Sequence, residues 1–466
     1  MNYSNTFIRS TMIICALTSF IGSFMTNSTN IAIPAISLEF AATQLQLNWV
    51  VTIYLLSSAA LALPFGRLAD ILGRRKLFLI GIGLFGISSL GCGLTYSFNS
   101  LIFFRLLQGV ANAMVAGTSM AILTTVVPPA QRGRALGLAS AAVYIGLSLG
   151  PVLGGLIVQL ISWRGIFLFG FLVDMIILSL ILLRLKDEWK VAAGETYDYL
   201  GGGLWVSGLA LVLLALSNLT LATYYTFILI FGLVLLGIFI RIELRAKYPI
   251  FAIRVFTKNT PFIFSNLATV INYLATFAIS YLMSLYLQLV LGLDSSISGL
   301  ILLSQPILMA ILSPYAGRLS DRIEPQILSS IGMAIITVGL FVTIFFNPST
   351  PVPLIVANLV FIGIGFGIFS SPNSNAIMSS VEKRYYSIAS STLGTMRLLG
   401  QTISMATVSL ITSTYIGNIG LHSNEYPQVF MTSFRICFII FTALCLLGVF
   451  ASLARGKRAD TNISST

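Results

Sequence analysis

The residues of this chain that could do chemistry are few, and most stand inside apolar sequence where a charge is expensive. Asp174 is the one acidic residue set deep in an apolar run, about ten residues from its nearer end. At 1.5 Å per helical residue that is ~15 Å, close to the middle of a bilayer. Ionising a carboxylate at that depth is costly, which suits a group that carries a proton. The other reading pairs it with a neighbouring polar group or leaves it facing a loose seam. Arg397 reaches a similar depth in a different run and is the expected counter-ion of Asp174.

A second cluster reads Arg105-Leu106-Leu107-Gln108-Gly109-Val110-Ala111-Asn112. Positions 105, 108 and 112 share one face of a helix and make a polar stripe in an apolar run. Arg105 lies about seven residues from the end of its run, so snorkelling lowers its cost. Either it pairs with loop carbonyls and only holds helices together, or it takes part in the chemistry of the stripe. A third cluster has Gly146, Gly150 and Gly154 at i, i+4 and i+8, a smooth stripe for close helix approach. Pro151 within it leaves the carbonyl of Leu147 without its helical donor and favours a kink. Ser162-Trp163-Arg164 follows.

A fourth phrase occurs twice, as Gly66-Arg67-Leu68-Ala69-Asp70 and as Gly317-Arg318-Leu319-Ser320-Asp321. Each copy follows a proline and a long apolar run. The first continues to Gly73-Arg74-Arg75-Lys76, so Asp70 stands among four bases and either pairs with them or meets the N-terminus of a facing helix. Gly66 and Gly73 allow a tight turn close to neighbouring backbone. A chance acid in a basic loop is the bland alternative, and the second copy argues against it. A repeat on this scale says that two related membrane halves were joined.

The elements that hold these residues follow from composition. The chain is 57% hydrophobic and 9% charged, with mean hydropathy +0.95; soluble domains carry about 25% charged residues. Apolar runs long enough to span lie at about 11–34, 48–66, 77–96, 99–124, 135–160, 165–184, 201–218, 223–241, 261–290, 297–316, 327–346, 352–375, 387–415 and 429–452. Fourteen spans put both termini on one side. Of the 26 Lys and Arg, Arg164 falls at an external edge and Arg105, Arg397 and Arg435 within spans. The rest collect at the ends that a cytoplasmic N-terminus assigns to the cytoplasm. The charge lies between apolar runs and not on one face, so the net +12 reads as membrane topology and not as nucleic-acid binding. The first run lacks a small-residue cleavage site and reads as a retained helix.

The expected architecture is therefore all-α and integral to the membrane. It has a six-helix half over 1–185, a connector with two extra helices over 186–260, and a second six-helix half with a short tail over 261–466. The four cysteines fall in apolar runs with no C-x-x-C spacing and there is one histidine, so neither a metal site nor a disulfide framework is expected. No phosphate-binding G-x-x-x-x-G-K-[ST] phrase occurs, which argues against ATP drive, and no cofactor is expected. An enzyme or sensor is disfavoured, because catalysis would need His or carboxylates clustered at depth.

Together these motifs resemble the major facilitator superfamily, in particular its fourteen-helix drug:proton antiporters, over nearly the whole chain. The loop with Gly66 to Lys76 is similar to the superfamily signature, and Arg105–Gln108–Gly109 to its motif in the fourth helix. Gly146 to Gly155 is similar to the antiporter motif, which goes with export. Gly363 to Asn375 and Arg397-Leu-Leu-Gly400-Gln401 are similar to a later signature of the branch. The resemblance implies a small-molecule substrate, protons as coupling ion, a plasma-membrane location and a working monomer. It implies that Gly66, Asp70 and Arg74 latch the halves, with Asp70 near Ser387 and Asp321 near Gly133. It also implies that Arg105 supports proton coupling and that the Gly146–Gly155 stripe seals the halves together. Many relatives carry an acid shortly before the Asn30-Ile31-Ala32-Ile33-Pro34 phrase. Here Met25-Thr26-Asn27-Ser28-Thr29 holds none, which weakens a case for cationic drugs. A narrow metabolite carrier shares the fold and is the alternative function. The aromatics Tyr273, Tyr281 and Tyr286 either line a cavity for flat substrates or simply pack.

Overall fold

A computed structural model describes the chain except residues 1–2, 129–130, 220–221, 247, 252–258, 321, 382–385, 418, 420–422, 424 and 455–466. Among the described residues fourteen helices follow one another: α1 (Asn5–Phe40), α2 (Gln44–Leu72), α3 (Arg74–Leu94), α4 (Phe98–Val126), α5 (Arg132–Leu160), α6 (Arg164–Arg184), α7 (Tyr199–Asn218), α8 (Tyr224–Glu243), α9 (Thr260–Val290), α10 (Ser295–Leu319), α11 (Pro325–Thr343), α12 (Val352–Ser379), α13 (Tyr386–Tyr415) and α14 (Tyr426–Leu453). α9 ends in a π-helical turn, Tyr286–Val290. Every expected span is present, and several helices outrun their apolar runs. α2 begins at Gln44 where hydropathy placed its start near 48, because Gln44 and Asn48 are buried against protein and need not be apolar. Thirteen of the helices are long and apolar enough to cross a membrane by themselves. α13, with Arg397, Gln401 and many Ser and Thr, is the polar exception.

In the first half α1 packs on α5 and α6, α4 on α2 and α3, and α3 on α6. The second half repeats this with α9 on α13 and α14, α12 on α10 and α11, and α11 on α14. The halves meet along two seams, α5 with α10 and α2 with α13, which exchange under the same correspondence. The extra pair packs as a hairpin outside this plan, with α7 lying over the α2–α13 seam. There Leu209 and Leu213 bury against Ala59 and Ala60, flanked by Leu398, Leu399 and Ile403. Glycine 73, at φ +124°, makes the turn between α2 and α3 that a side chain would resist. Gly66 does not share that role: α2 continues past it, and open space surrounds the position its Cβ would take.

Candidate functional site

The α2–α3 turn holds a closed set of polar contacts. The Asp70 carboxylate accepts from Arg74 Nε at 2.8 Å, and Arg74 also donates to Ala121 O at 3.2 Å and Thr125 Oγ1 at 2.8 Å on α4. Arg74 is buried by these partners. What sequence reading missed is the strap beneath. The Glu188 carboxylate accepts from the amides of Arg75 (2.8 Å) and Lys76 (3.0 Å), capping the N-terminus of α3. Trp189 O accepts from the Arg74 amide, Asp70 O from the Ala192 amide, and Arg67 pairs with Glu195. The signal available was a polar segment, Lys186-Asp187-Glu188-Trp189-Lys190, directly after α6. The expected approach of Asp70 to Ser387 lies outside the described residues at the Ser387 side chain, as does that of Asp321 to Gly133 at Asp321.

In the α4 stripe Arg105 and Gln108 are buried and Asn112 is half-buried. Arg105, 1% exposed, donates from Nε to Val50 O on α2 at 2.9 Å and from Nη1 to Gln108 Oε1 at 2.8 Å, with its guanidinium 4.5 Å from the Tyr54 ring centre. Gln108 donates onward to Ser89 Oγ on α3 at 2.8 Å, and Asn112 to Ser58 Oγ on α2 at 3.2 Å. The stripe thus ties α4 to α2 and α3 through neutral acceptors, and the carbonyl that Arg105 meets lies within α2 and not in a loop. Gly109 lets the helices meet: a Cβ there would strike Tyr54 O and Ser57.

The α5 stripe needs a correction. Gly146, Gly150 and Gly154 face α1 in their own half: a Cβ would meet Phe20 O at the first, Asn27 Cβ at 3.0 Å at the second and Ser28 Cβ at 2.8 Å at the third. The face of α5 that seals the halves is the neighbouring one. There Gly299 of α10 presses on Pro151 O, and Gly155 presses on Ser295 O. Positions 150 and 151 are one residue, or ~100°, apart around the helix, so one motif serves two neighbours. The carbonyl freed by Pro151 is answered, since Asn27 Nδ2 donates to Leu147 O at 3.0 Å; Ser28 Oγ donates to Gly150 O at 2.8 Å. These are the positions at which the sequence lacks an acid.

Asp174 and Arg397 do not pair. α6 packs on α3 and α1, away from the second half, and sets Asp174 Cβ against Gly86 of α3. The carboxylate is wholly buried, and neither oxygen has a hydrogen-bond partner among the described residues. Tyr54 stands within electrostatic reach of both Asp174 and Arg105. Arg397 belongs to the second half. It donates to Ser374 Oγ on α12 at 3.2 Å and lies 5.7 Å from the centre of the Tyr273 ring on α9. Helical depth gave one coordinate for each residue, and the azimuth of its helix decided the rest.

The halves are hydrogen-bonded at the end of the bundle remote from the α2–α3 turn. Gln44 Nε2 donates to Tyr281 Oη (2.9 Å), Tyr281 to Asn48 Oδ1 (2.6 Å), Asn48 Nδ2 to Thr412 Oγ1 (2.8 Å) and Tyr426 to Gln44 Oε1 (2.7 Å). Ser284 Oγ donates to Asn30 O and Gln288 Nε2 to Ile31 O. Deeper, Tyr144 of α5 hydrogen-bonds Ser313 at 2.9 Å and donates to Ser370 at 3.4 Å. Of the three aromatics singled out on α9, Tyr281 closes this end, Tyr286 packs on Phe346 and Phe434, and Tyr273 joins Arg397.

The sequence model of the Major Facilitator Superfamily matches residues 13–196 and 266–465. Relatives include a protein named riboflavin transporter RibZ of Clostridioides difficile, 28% identical over 97% of this chain and 98% of its own. An uncharacterized transporter, YebQ of Escherichia coli, is 30% identical over 88% and 90%. The multidrug resistance protein Stp of Mycobacterium tuberculosis is 28% identical over 83% and 72%. Among solved structures, a bacterial homolog of the human lysosomal transporter Spinster shares the fold with TM-score 0.71 at 15% identity, covering 97% and 98% of the two chains.

Proposed function

Since the chain belongs to the major facilitator superfamily, we propose that it exports small amphipathic compounds in exchange for protons, the two halves rocking about a central site. It works from the plasma membrane with both termini cytoplasmic, as the basic loops favour. One observation carries the proton coupling: Asp174 is a wholly buried carboxylate with no partner among the described residues. A group so placed is comfortable only when neutral, so taking up or losing a proton changes what its surroundings tolerate. Tyr54 links that change to α4 through Arg105, whose guanidinium lies over its ring. Arg105 in this scheme is a positioning residue.

The seams supply the motion. Glycine-lined contacts of α5 with α10 carry few side-chain anchors and can pivot, and the hydrogen bonds remote from the turn hold that end shut until they exchange for water. The Asp70–Arg74 pair and the Glu188 strap keep the α2–α3 turn rigid at the other end, as a latch would require. A second reading, a carrier of narrow metabolite specificity, is favoured by the relative named for riboflavin, which aligns over nearly its full length.

Inverted membrane vesicles test both. A respiratory proton gradient followed with a pH-sensitive dye should collapse when a substrate is added, and Asp174→Asn should abolish the response at equal protein level. An unchanged response in Asp174→Asn sinks the proton role of this residue. A response to riboflavin alone, across a panel of dyes and antibiotics, favours the narrow carrier.

A further inference from the structure

The unpaired cation of the second half bears on what the central site accepts. Arg105 and Arg397 both lie within spans, but their surroundings differ. Arg105 is enclosed and satisfied by a carbonyl and an amide oxygen. Among the described residues half-buried Arg397 makes one hydrogen bond, at 3.2 Å, and keeps a buried Nε with no partner. Among the described residues no carboxylate pairs with it; the three ion pairs there are Arg67–Glu195, Arg74–Asp70 and Arg164–Glu39. A cation at this depth faces protein or water-filled space, since lipid would not tolerate it.

Arg397 itself meets Ser374 and Tyr273 of its own half, and the first half comes in one step further out, where Tyr144 hydrogen-bonds Ser313 and Ser370. Ser374 and Ser370 lie on α12, Tyr273 on α9, Ser313 on α10 and Tyr144 on α5. Tyr273 stands within electrostatic reach of Tyr144 and Arg397. Tyr144, Tyr273, Ser374 and Arg397 are all only half-buried although helices of both halves surround them. One turn before Arg397, nothing comes within 4 Å of the position a Cβ on Gly394 would occupy. The Tyr144 hydroxyl is spent on serines, so what Tyr144 offers a guest is ring, and Phe366 lies edge-on to Tyr273 with centres 5.5 Å apart.

We infer that Arg397, Tyr273 and Tyr144 bind the transported molecule, and that it is a small aromatic compound carrying an anionic group. The guanidinium supplies unused donors to the anion, a charge-assisted bond. The tyrosine rings take the flat part. An uncompensated cation also repels positively charged guests, which gives selectivity against them. The inference rests on the transporter reading for its setting, but binding is measured without transport.

The test uses the full-length protein in nanodiscs of zwitterionic lipid, with fluorescein as an aromatic anion and ethidium as an aromatic cation, both followed by fluorescence anisotropy. Wild type should bind fluorescein more tightly than ethidium, and added salt should weaken the fluorescein complex. Arg397→Gln should lose roughly tenfold or more in fluorescein affinity with ethidium unmoved. Arg397→Lys, which keeps charge but not the fork, should retain part of it, and Tyr273→Leu should weaken it with Arg397 intact. Tighter binding of ethidium by wild type overturns the inference. So does unchanged fluorescein affinity in a monodisperse Arg397→Gln protein. If fluorescein binds as described but collapses no proton gradient in vesicles, the site stands and proton exchange fails.

Discussion

The two halves share a frame and differ in the chemistry set into it. Gly146 lets α5 lie on the backbone of α1 at Phe20 O, and Gly400 lets α13 lie on α9, where a Cβ would fall 2.6 Å from Val270 O. Gly109 opens α4 to Tyr54 O of α2, and Gly363 opens α12 to Gln305 O of α10. Counting back from these last two glycines, Arg105 and Gln108 in the first half correspond to Leu359 and Ile362 in the second, both fully buried and apolar. The first half therefore encloses a satisfied arginine and an unpartnered carboxylate, and the second an under-satisfied arginine beside aromatic rings. Small residues at contact points set the packing, and the ionisable groups are free to diverge because the frame does not depend on them.

Breaking the frame should have the largest effect. Gly146→Val and Gly400→Val each place side-chain atoms on facing backbone that has nowhere to go, so both halves should fail alike. The expected outcome is loss of monodisperse protein in mild detergent, or a fall in the unfolding midpoint of roughly 10 °C or more. Near-normal midpoints for both would remove the argument that these contacts set the packing.

Arg105→Leu, which writes the second half's residue into the first, should act next. It leaves Val50 O and Gln108 Oε1 without their donor in a buried site, at about 1–3 kcal/mol. The variant should fold with a lower midpoint and transport slowly. Wild-type transport would show that the stripe is structural only.

Asn48→Ala should have the smallest effect. It removes the link to Thr412 and one acceptor of Tyr281, a net loss of about 1–2 kcal/mol from the closed end, shifting the balance of states roughly five- to thirtyfold. Labelling of a cysteine introduced at Ser284 should speed up accordingly. The background is quiet because all four native cysteines are buried. No change in labelling would mean that the network does not control opening at that end.

Which parts were legible in the sequence follows from what each pattern encodes. Hydropathy counts residues that need shelter from water, so it found every span but not the ends of α2, where Gln44 and Asn48 are sheltered by protein. The freed carbonyl of Leu147 was legible because proline lacks a donor wherever it stands. Its acceptance of Asn27 was not, because that needs α1 to lie against α5.

The sequence by itself determined fourteen helices, the twofold repeat, the depth of each charge and the presence of a smooth stripe on α5. Those are properties of single segments, fixed by local propensity, hydrophobicity and rise per residue. Only the tertiary structure decided that the stripe faces α1, that the 186–198 segment straps the α2–α3 turn, and that Asp174 and Arg397 belong to separate halves. Those depend on how helices are rotated about their axes and which ones are neighbours. That is settled by many small packing contacts summed over the bundle, and no single residue pattern carries it.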